Sequence, residues 1–198
     1  MSEAWNISNE APAAIGPGKL VLVVGPSGAG KDTLLGLAKA ACADDASIVF
    51  PRRLITREAS VSEDNEQLDT EAFRHALARG EFAAHWTAHG HSYALPATIN
   101  DDIRAGRTVV ANVSRTVIGA LRCSYANVVV VAITAHPEVL AKRLAARGRS
   151  SDGKLDQRLN RTVDDAAAAP DVTIVNMSSA EFHARQLVRA IKDSRWDE

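Results

Sequence analysis

Cysteine is scarce in this chain: Cys42 and Cys123 are the only two among 198 residues. So small a supply argues against a disulfide framework or a cysteine-built zinc site. Both are expected as buried, reduced thiols, Cys42 in an alanine-rich helical stretch and Cys123 in a helix-to-strand connection. An excess of one charge is also missing. Lys and Arg number 23 against 24 Asp and Glu, a net charge of -1. Non-specific binding to nucleic acid or to an anionic membrane surface is therefore not indicated. No apolar run approaches membrane-spanning length. The opening residues lack the basic and apolar regions of a secretion signal, and their Pro, Gly, Ser and Asn content predicts a flexible extension over 1–18. These absences predict a cytoplasmic protein. What is present, 46% hydrophobic residues, suffices for one sizeable core, expected as a single domain over 19–198.

Strand-like and helix-like segments alternate, which predicts an α/β fold: a five-stranded parallel sheet with helices on both faces. The expected strands are Leu20–Val24, Ile48–Phe50, Thr108–Val113, Val128–Ile133 and Val172–Val175. Helices are expected over about Asp32–Ala43, Thr70–Arg79, Thr98–Ala105, Thr116–Arg122, Pro137–Arg147, Leu155–Ala169 and Ala180–Lys192. A polar stretch, Pro51–Thr70, and two short β segments, Phe82–Trp86 and Ser92–Leu95, break the alternation. They read as an insertion.

The first strand runs into GPSGAGKDT: Gly25, Pro26, Ser27, Gly28, Ala29, Gly30, Lys31, Asp32 and Thr33. Strand, glycine-rich loop, lysine and helix, in that order, form a phosphate-binding loop. Glycines allow the backbone to approach a ligand closely, the helix N-terminus favours an anion, and Lys31 is placed to reach the β- and γ-phosphates. The usual pattern ends in Lys-Ser/Thr, whose hydroxyl ligates Mg²⁺. Here Asp32 follows Lys31. A carboxylate is also a hard-oxygen ligand, so ATP and Mg²⁺ are the expected cofactors, with Asp32 the candidate metal residue, directly or through water.

Arginines form the second constellation. Arg52, Arg53 and Arg57 follow the second strand, and Asn112, Ser114 and Arg115 end the third. In an open parallel sheet these carboxyl ends border the ligand crevice. Arg143 and Arg147, then Arg149, Arg158 and Arg161, lie late in the chain around an Arg-, Ser- and Gly-rich loop. Phosphoryl transfer needs cationic clamps more than covalent chemistry. Lys31, Arg143, Arg147, Arg149 and Arg158 are thus the candidate catalytic residues. No general base stands out. A phosphate acceptor, mostly ionised near neutral pH, needs none. His85, His89 and His91 do not have the spacing of a closed zinc site; contact with an anionic substrate or plain surface exposure are the two readings. Trp86 and Tyr93 read as the small core of the insertion, with the Tyr93 hydroxyl a further candidate phosphate donor.

Taken together, GPSGAGKD, R-x-x-T-R (Arg53, Thr56, Arg57), W-x-x-H-G-x-x-Y (Trp86, His89, Gly90, Tyr93), NVSR and R-L-x-x-R-G-R resemble the guanylate kinase superfamily. Within it the chain is most similar to the ribose 1,5-bisphosphate phosphokinases, a family of phosphonate breakdown that makes phosphoribosyl pyrophosphate. The resemblance implies an acceptor-binding insertion over 52–96 and an arginine lid over 143–161. It places Arg53, Thr56, Arg57, His89, Tyr93, Asn112, Ser114 and Arg115 against a small-molecule phosphosugar, with Glu63 and Asn65 as candidates for its hydroxyls. The base-reading run of guanylate kinases after T-R is missing from Glu58–Leu68, and Ala94 follows Tyr93 where glycine is usual. Guanylate kinase itself is the alternative. Many such kinases end the third strand in an aspartate near Mg²⁺. Here that position is Asn112, and Asp32 is expected to restore the carboxylate from the loop side.

Overall fold

The apolar, β-branched run that ends in Val24 is buried on both faces, as parallel sheets require. In the computed structural model, which describes residues 13–57, 65–88, 90–147 and 168–193, it forms the centre of a sheet. The strands are β1 (Ile15–Val24), β2 (Ile48–Val49), β7 (Thr108–Asn112), β8 (Tyr125–Thr134) and β9 (Val172–Val175), ordered β2-β7-β1-β8-β9. Every pairing in this sheet is parallel. Alternate side chains of β1 go to opposite layers. Leu20, Leu22 and Val24 pack with Ile99, Ile103, Ile118 and Leu121, from α3 (Ile99–Arg104) and α4 (Ile118–Ser124). Val21 and Val23 pack with Leu34 and Ala38 of α1 (Lys31–Ala41), Leu140 of α5 (Pro137–Arg147), and Leu187 and Ile191 of α6 (Ala180–Lys192).

The strand order places β1 between β7 and β8, although residues 25–107 separate it from β7 along the chain. This is the switch point at which open α/β sheets bind ligands, beyond the carboxyl ends of the strands. A second, four-stranded sheet stands over that end. It contains β3 (Arg53–Ile55), β4 (Asn65–Gln67), β5 (Phe82–Ala88) and β6 (His91–Pro96), ordered β4-β3-β6-β5. The helix α2 (Thr70–Ala78) follows β4, capped by the Asp69 carboxylate, which accepts from the Ala72 N–H at 2.7 Å.

Four expectations need correction. The residues before Leu20 are not all a loose extension: β1 begins at Ile15, where Ile15 pairs with Tyr125 and the Asn127 side chain donates to the Pro17 carbonyl at 2.8 Å. The polar stretch 51–70 contains β3 and β4, three residues each and too short for a period-2 pattern to register. The segment Arg115–Val117 is a separate 3-10 turn ahead of α4, with the Ser114 hydroxyl accepting from the Thr116 N–H. Finally, Cys42 is buried but Cys123 lies on α4 and is exposed. The helix expected over Leu155–Ala169 falls outside the described residues up to position 167.

Candidate functional site

The loop between β1 and α1 has the predicted backbone. Gly25, Gly28 and Gly30 take φ of 147°, 84° and 90°. The space demands glycine as well: a Cβ at Gly25 would run into the Ile133 carbonyl oxygen, and one at Gly30 would sit 2.5 Å from Asn176 Nδ2. A loop that turns its amides toward an anion must turn its carbonyls outward, where they need donors. The donors are present. Lys31 Nζ donates to the carbonyls of Gly25 (2.8 Å) and Pro26 (3.0 Å). Asn176 Nδ2 donates to the Ala29 carbonyl at 2.8 Å, and Arg143 donates to the Gly28 carbonyl at 3.4 Å and the Asn176 carbonyl at 3.3 Å. No side chain caps α1, the arrangement with which a helix N-terminus holds phosphate.

The third element is a cluster that ties this loop to the second sheet. Asn112 Nδ2, at the end of β7, donates to Asp32 Oδ1 at 3.0 Å. Arg53 Nη2 lies 3.9 Å from the same carboxylate oxygen, and its Nη1 donates to the Asn112 carbonyl at 3.4 Å. Arg53 Nε donates to the buried Asn65 side chain at 3.1 Å, and Arg52 Nη2 to the Asn65 carbonyl at 2.9 Å. Asn65 opens β4, whose pairing with β3 sets Arg53 against Asn65. Asp32, Arg53, Asn65 and Asn112 border a cleft of about 140 Å³ between α1 and the second sheet.

The other predicted residues divide. Thr56 holds strands together: its Oγ1 accepts from the Ser92 N–H at 2.9 Å, joining the end of β3 to β6. Tyr93 is buried, its ring stacked on Trp86 at 5.7 Å and 5°, as a small core requires. Arg57 is half-buried after β3, Ser114 is the cap described above, and Arg115 is exposed on the 3-10 turn, which packs against β5. Pro26, Ser27, Asp32 and Thr33 sit in the loop and the first turn of α1. His85 is exposed and His91 half-buried, and no metal-holding group of three or more His, Cys, Asp or Glu side chains forms among the described residues. His89, Arg149 and Arg158 lie outside the described residues, as do Arg161 and Glu63; the side chain of Arg147 is likewise not described. Sequence reasoning missed Asn176, although a polar residue directly after the last strand sits where the ligand crevice is expected.

Comparison with known proteins agrees with this arrangement. Residues 17–194 match the family model described as guanylate kinase. Over the full length of both chains, the protein is 64% identical to the ribose 1,5-bisphosphate phosphokinase PhnN of Bradyrhizobium diazoefficiens. It is 58% identical to the protein of that name in Rhodopseudomonas palustris, over 96% of each chain. The one in Methylobacterium radiotolerans is 51% identical over 89% of this chain and 98% of its own. In fold, the chain is similar to a crystal structure of guanylate kinase from Anaplasma phagocytophilum, with a TM-score of 0.65 at 20% identity, covering 93% of this chain and 88% of that one. By the extent of these matches, the chain belongs to the guanylate kinase family, among its ribose 1,5-bisphosphate phosphokinases.

Proposed function

We propose that this chain transfers the γ-phosphoryl group of ATP to the 1-phosphate of ribose 1,5-bisphosphate, giving 5-phosphoribosyl 1-diphosphate and ADP. An oxygen of the 1-phosphate attacks the γ-phosphorus, and the bond from that phosphorus to the bridging β-oxygen breaks. The observation that carries the reading is the Arg53 cluster. It presents a guanidinium and two asparagine side chains to the space beside the phosphate loop. Its one carboxylate, Asp32, is engaged by the Asn112 amide and the Arg53 guanidinium, which suits it to a metal rather than to taking a proton. A phosphate nucleophile needs positioning and charge neutralisation there, not deprotonation. The names of the close relatives supply the same acceptor.

The loop and α1 bind the triphosphate. Lys31, next to the loop carbonyls, moves onto the β- and γ-oxygens. Arg143 stands beside Gly28, and Arg147, Arg149 and Arg158 complete the cationic clamp of a lid over 143–161. Arg53, Arg57 and Arg115 hold the acceptor, within an acceptor-binding region over 52–96. Asp32 suits Mg²⁺: its carboxylate is a hard-oxygen donor at the start of α1, oriented by the Asn112 amide. Bound Mg²⁺ supplies neutralisation of the charge on the phosphates. A place in phosphonate breakdown and a cytoplasmic location accompany this reading. Among the described residues, no helix is long and apolar enough to cross a membrane.

The test is a transfer assay with purified protein, ATP–Mg²⁺ and a panel of acceptors, read by product mass. Ribose 1,5-bisphosphate should gain one phosphoryl group. Turnover of GMP in its place would support the guanylate kinase alternative and overturn the proposal.

A further inference from the structure

The helix after the phosphate loop turns a stripe toward the cleft: Asp32, Leu35, Gly36 and Lys39. The spacing i, i+3, i+4, i+7 is one face of a helix, two turns or roughly 10 Å long. Gly36 is anomalous within it. An interior glycine weakens a helix relative to alanine. Its φ is not in the left-handed range, so the backbone does not require it, and a Cβ there would meet no described atom within 4 Å. Neither strain nor crowding within the protein accounts for the missing side chain. The space beside it is open to a ligand.

The opposite wall holds Phe50, Pro51, Arg53 and the buried Asn65. Two cations, Lys39 and Arg53, and one carboxylate, Asp32, line the space. Asp32 lies at the phosphate-loop end, where the reacting phosphate must sit. Lys39 lies two turns further along the helix, roughly 10 Å by helix rise. We infer that this cleft seats the non-reacting 5-phosphate of the acceptor, with Gly36 supplying room and Lys39 supplying charge. The inference rests on the proposed acceptor and adds the part of it that selects a bisphosphate over a monophosphate.

Two monophosphates of equal charge test it, ribose 5-phosphate and ribose 1-phosphate, each as an inhibitor competing with ribose 1,5-bisphosphate. Lys39→Gln should weaken inhibition by ribose 5-phosphate about tenfold or more, the scale of a lost charge-assisted hydrogen bond. Inhibition by ribose 1-phosphate should stay within about twofold, because the matched charge controls for the long-range field. Lys39→Arg should recover part of the loss. Gly36→Ala should raise the melting temperature while weakening ribose 5-phosphate, opposite signs that a purely structural role cannot give. Equal losses for both monophosphates, or a Gly36→Ala enzyme that is stabilised with unchanged acceptor kinetics, would overturn the inference alone. A wild-type enzyme that phosphorylates GMP and not the bisphosphate would overturn the proposed function and this inference together.

Discussion

The two sheets of this molecule build their halves of the site by different means. The five-stranded sheet presents a loop made chiefly of main chain, whose glycines set the path and whose carbonyls are held from outside by Lys31, Asn176 and Arg143. The four-stranded sheet presents side chains, Arg53 and Asn65 above all, carried on strands of three residues. The loop of the first half is contiguous in sequence, with glycine required at Gly25 and Gly30 and its carbonyls braced from outside. The second is assembled from distant positions, and each residue counts. On the proposed function, binding of a nucleotide tail goes with the first kind of construction and selection of one acceptor with the second.

The largest expected effect breaks the main-chain half at its one essential side chain. Lys31→Ala should lower kcat by about 10²–10³-fold, as loss of a transition-state charge donor does, measured at saturating acceptor. Next comes the acceptor half. Arg53→Ala should lower kcat/KM for the bisphosphate by about 10–10²-fold, while the Kd for ATP–Mg²⁺ changes by a smaller factor, because Arg53 reaches the donor half only at a distance of 3.9 Å from Asp32. Equal losses on both substrates would erase the distinction between the halves.

Asp32 and Asn112 sharpen the comparison, because they join the halves. Asp32→Ser should raise the Mg²⁺ concentration for half-maximal activity by about tenfold or more, and adding Asn112→Asp should restore part of it. The 3.0 Å contact between the two side chains makes coupling the expectation. A double variant that merely sums the single defects would refute a carboxylate moved from strand to loop. Asn176→Ala leaves the Ala29 carbonyl without its buried donor. It should cost about 1–3 kcal/mol of stability, read by denaturant unfolding, and weaken ATP binding more than acceptor binding.

The smallest effect is remote from both halves. Burial pushes the Tyr125 hydroxyl up to about 12 from the ordinary 10.0, above its value in the unfolded chain. A group with a raised folded-state pKa contributes stability fully present below the unfolded value and lost as pH climbs through the folded one. Stability should therefore fall between about pH 10 and pH 12. In Tyr125→Phe that part of the decline should disappear from thermal unfolding curves, with transfer at neutral pH unchanged.

Legibility followed the same division. The nine residues from Gly25 to Thr33 are contiguous, so order and spacing reveal the loop directly. The hydrophobic runs of β1, β7, β8 and β9 reveal the parallel sheet for the same reason. The cleft beside α1 draws Lys39, Arg53, Asn65 and Asn112 from α1, β3, β4 and β7, and no periodicity connects them. Position after the second strand brought Arg53 into view and motif resemblance Asn112; Lys39 and Gly36 needed the fold. Thr56 and Ser114 show the converse. Their places in recognisable motifs suggest substrate contact, yet their hydroxyls accept backbone N–H groups. The start of β1 was hidden by Pro17 and Gly18, since composition reads such residues as loop while strand pairing overrides it.

The central claim is that the side-chain half selects a sugar bisphosphate for the main-chain half to phosphorylate. Equal concentrations of ribose 1,5-bisphosphate and GMP, incubated together with the enzyme and ATP–Mg²⁺ and followed by phosphorus NMR, test it most directly. The expected spectrum gains a sugar diphosphate and ADP in equal amounts while GMP persists. Accumulation of GDP with the sugar untouched, or of ADP and inorganic phosphate with no new diphosphate, would contradict it.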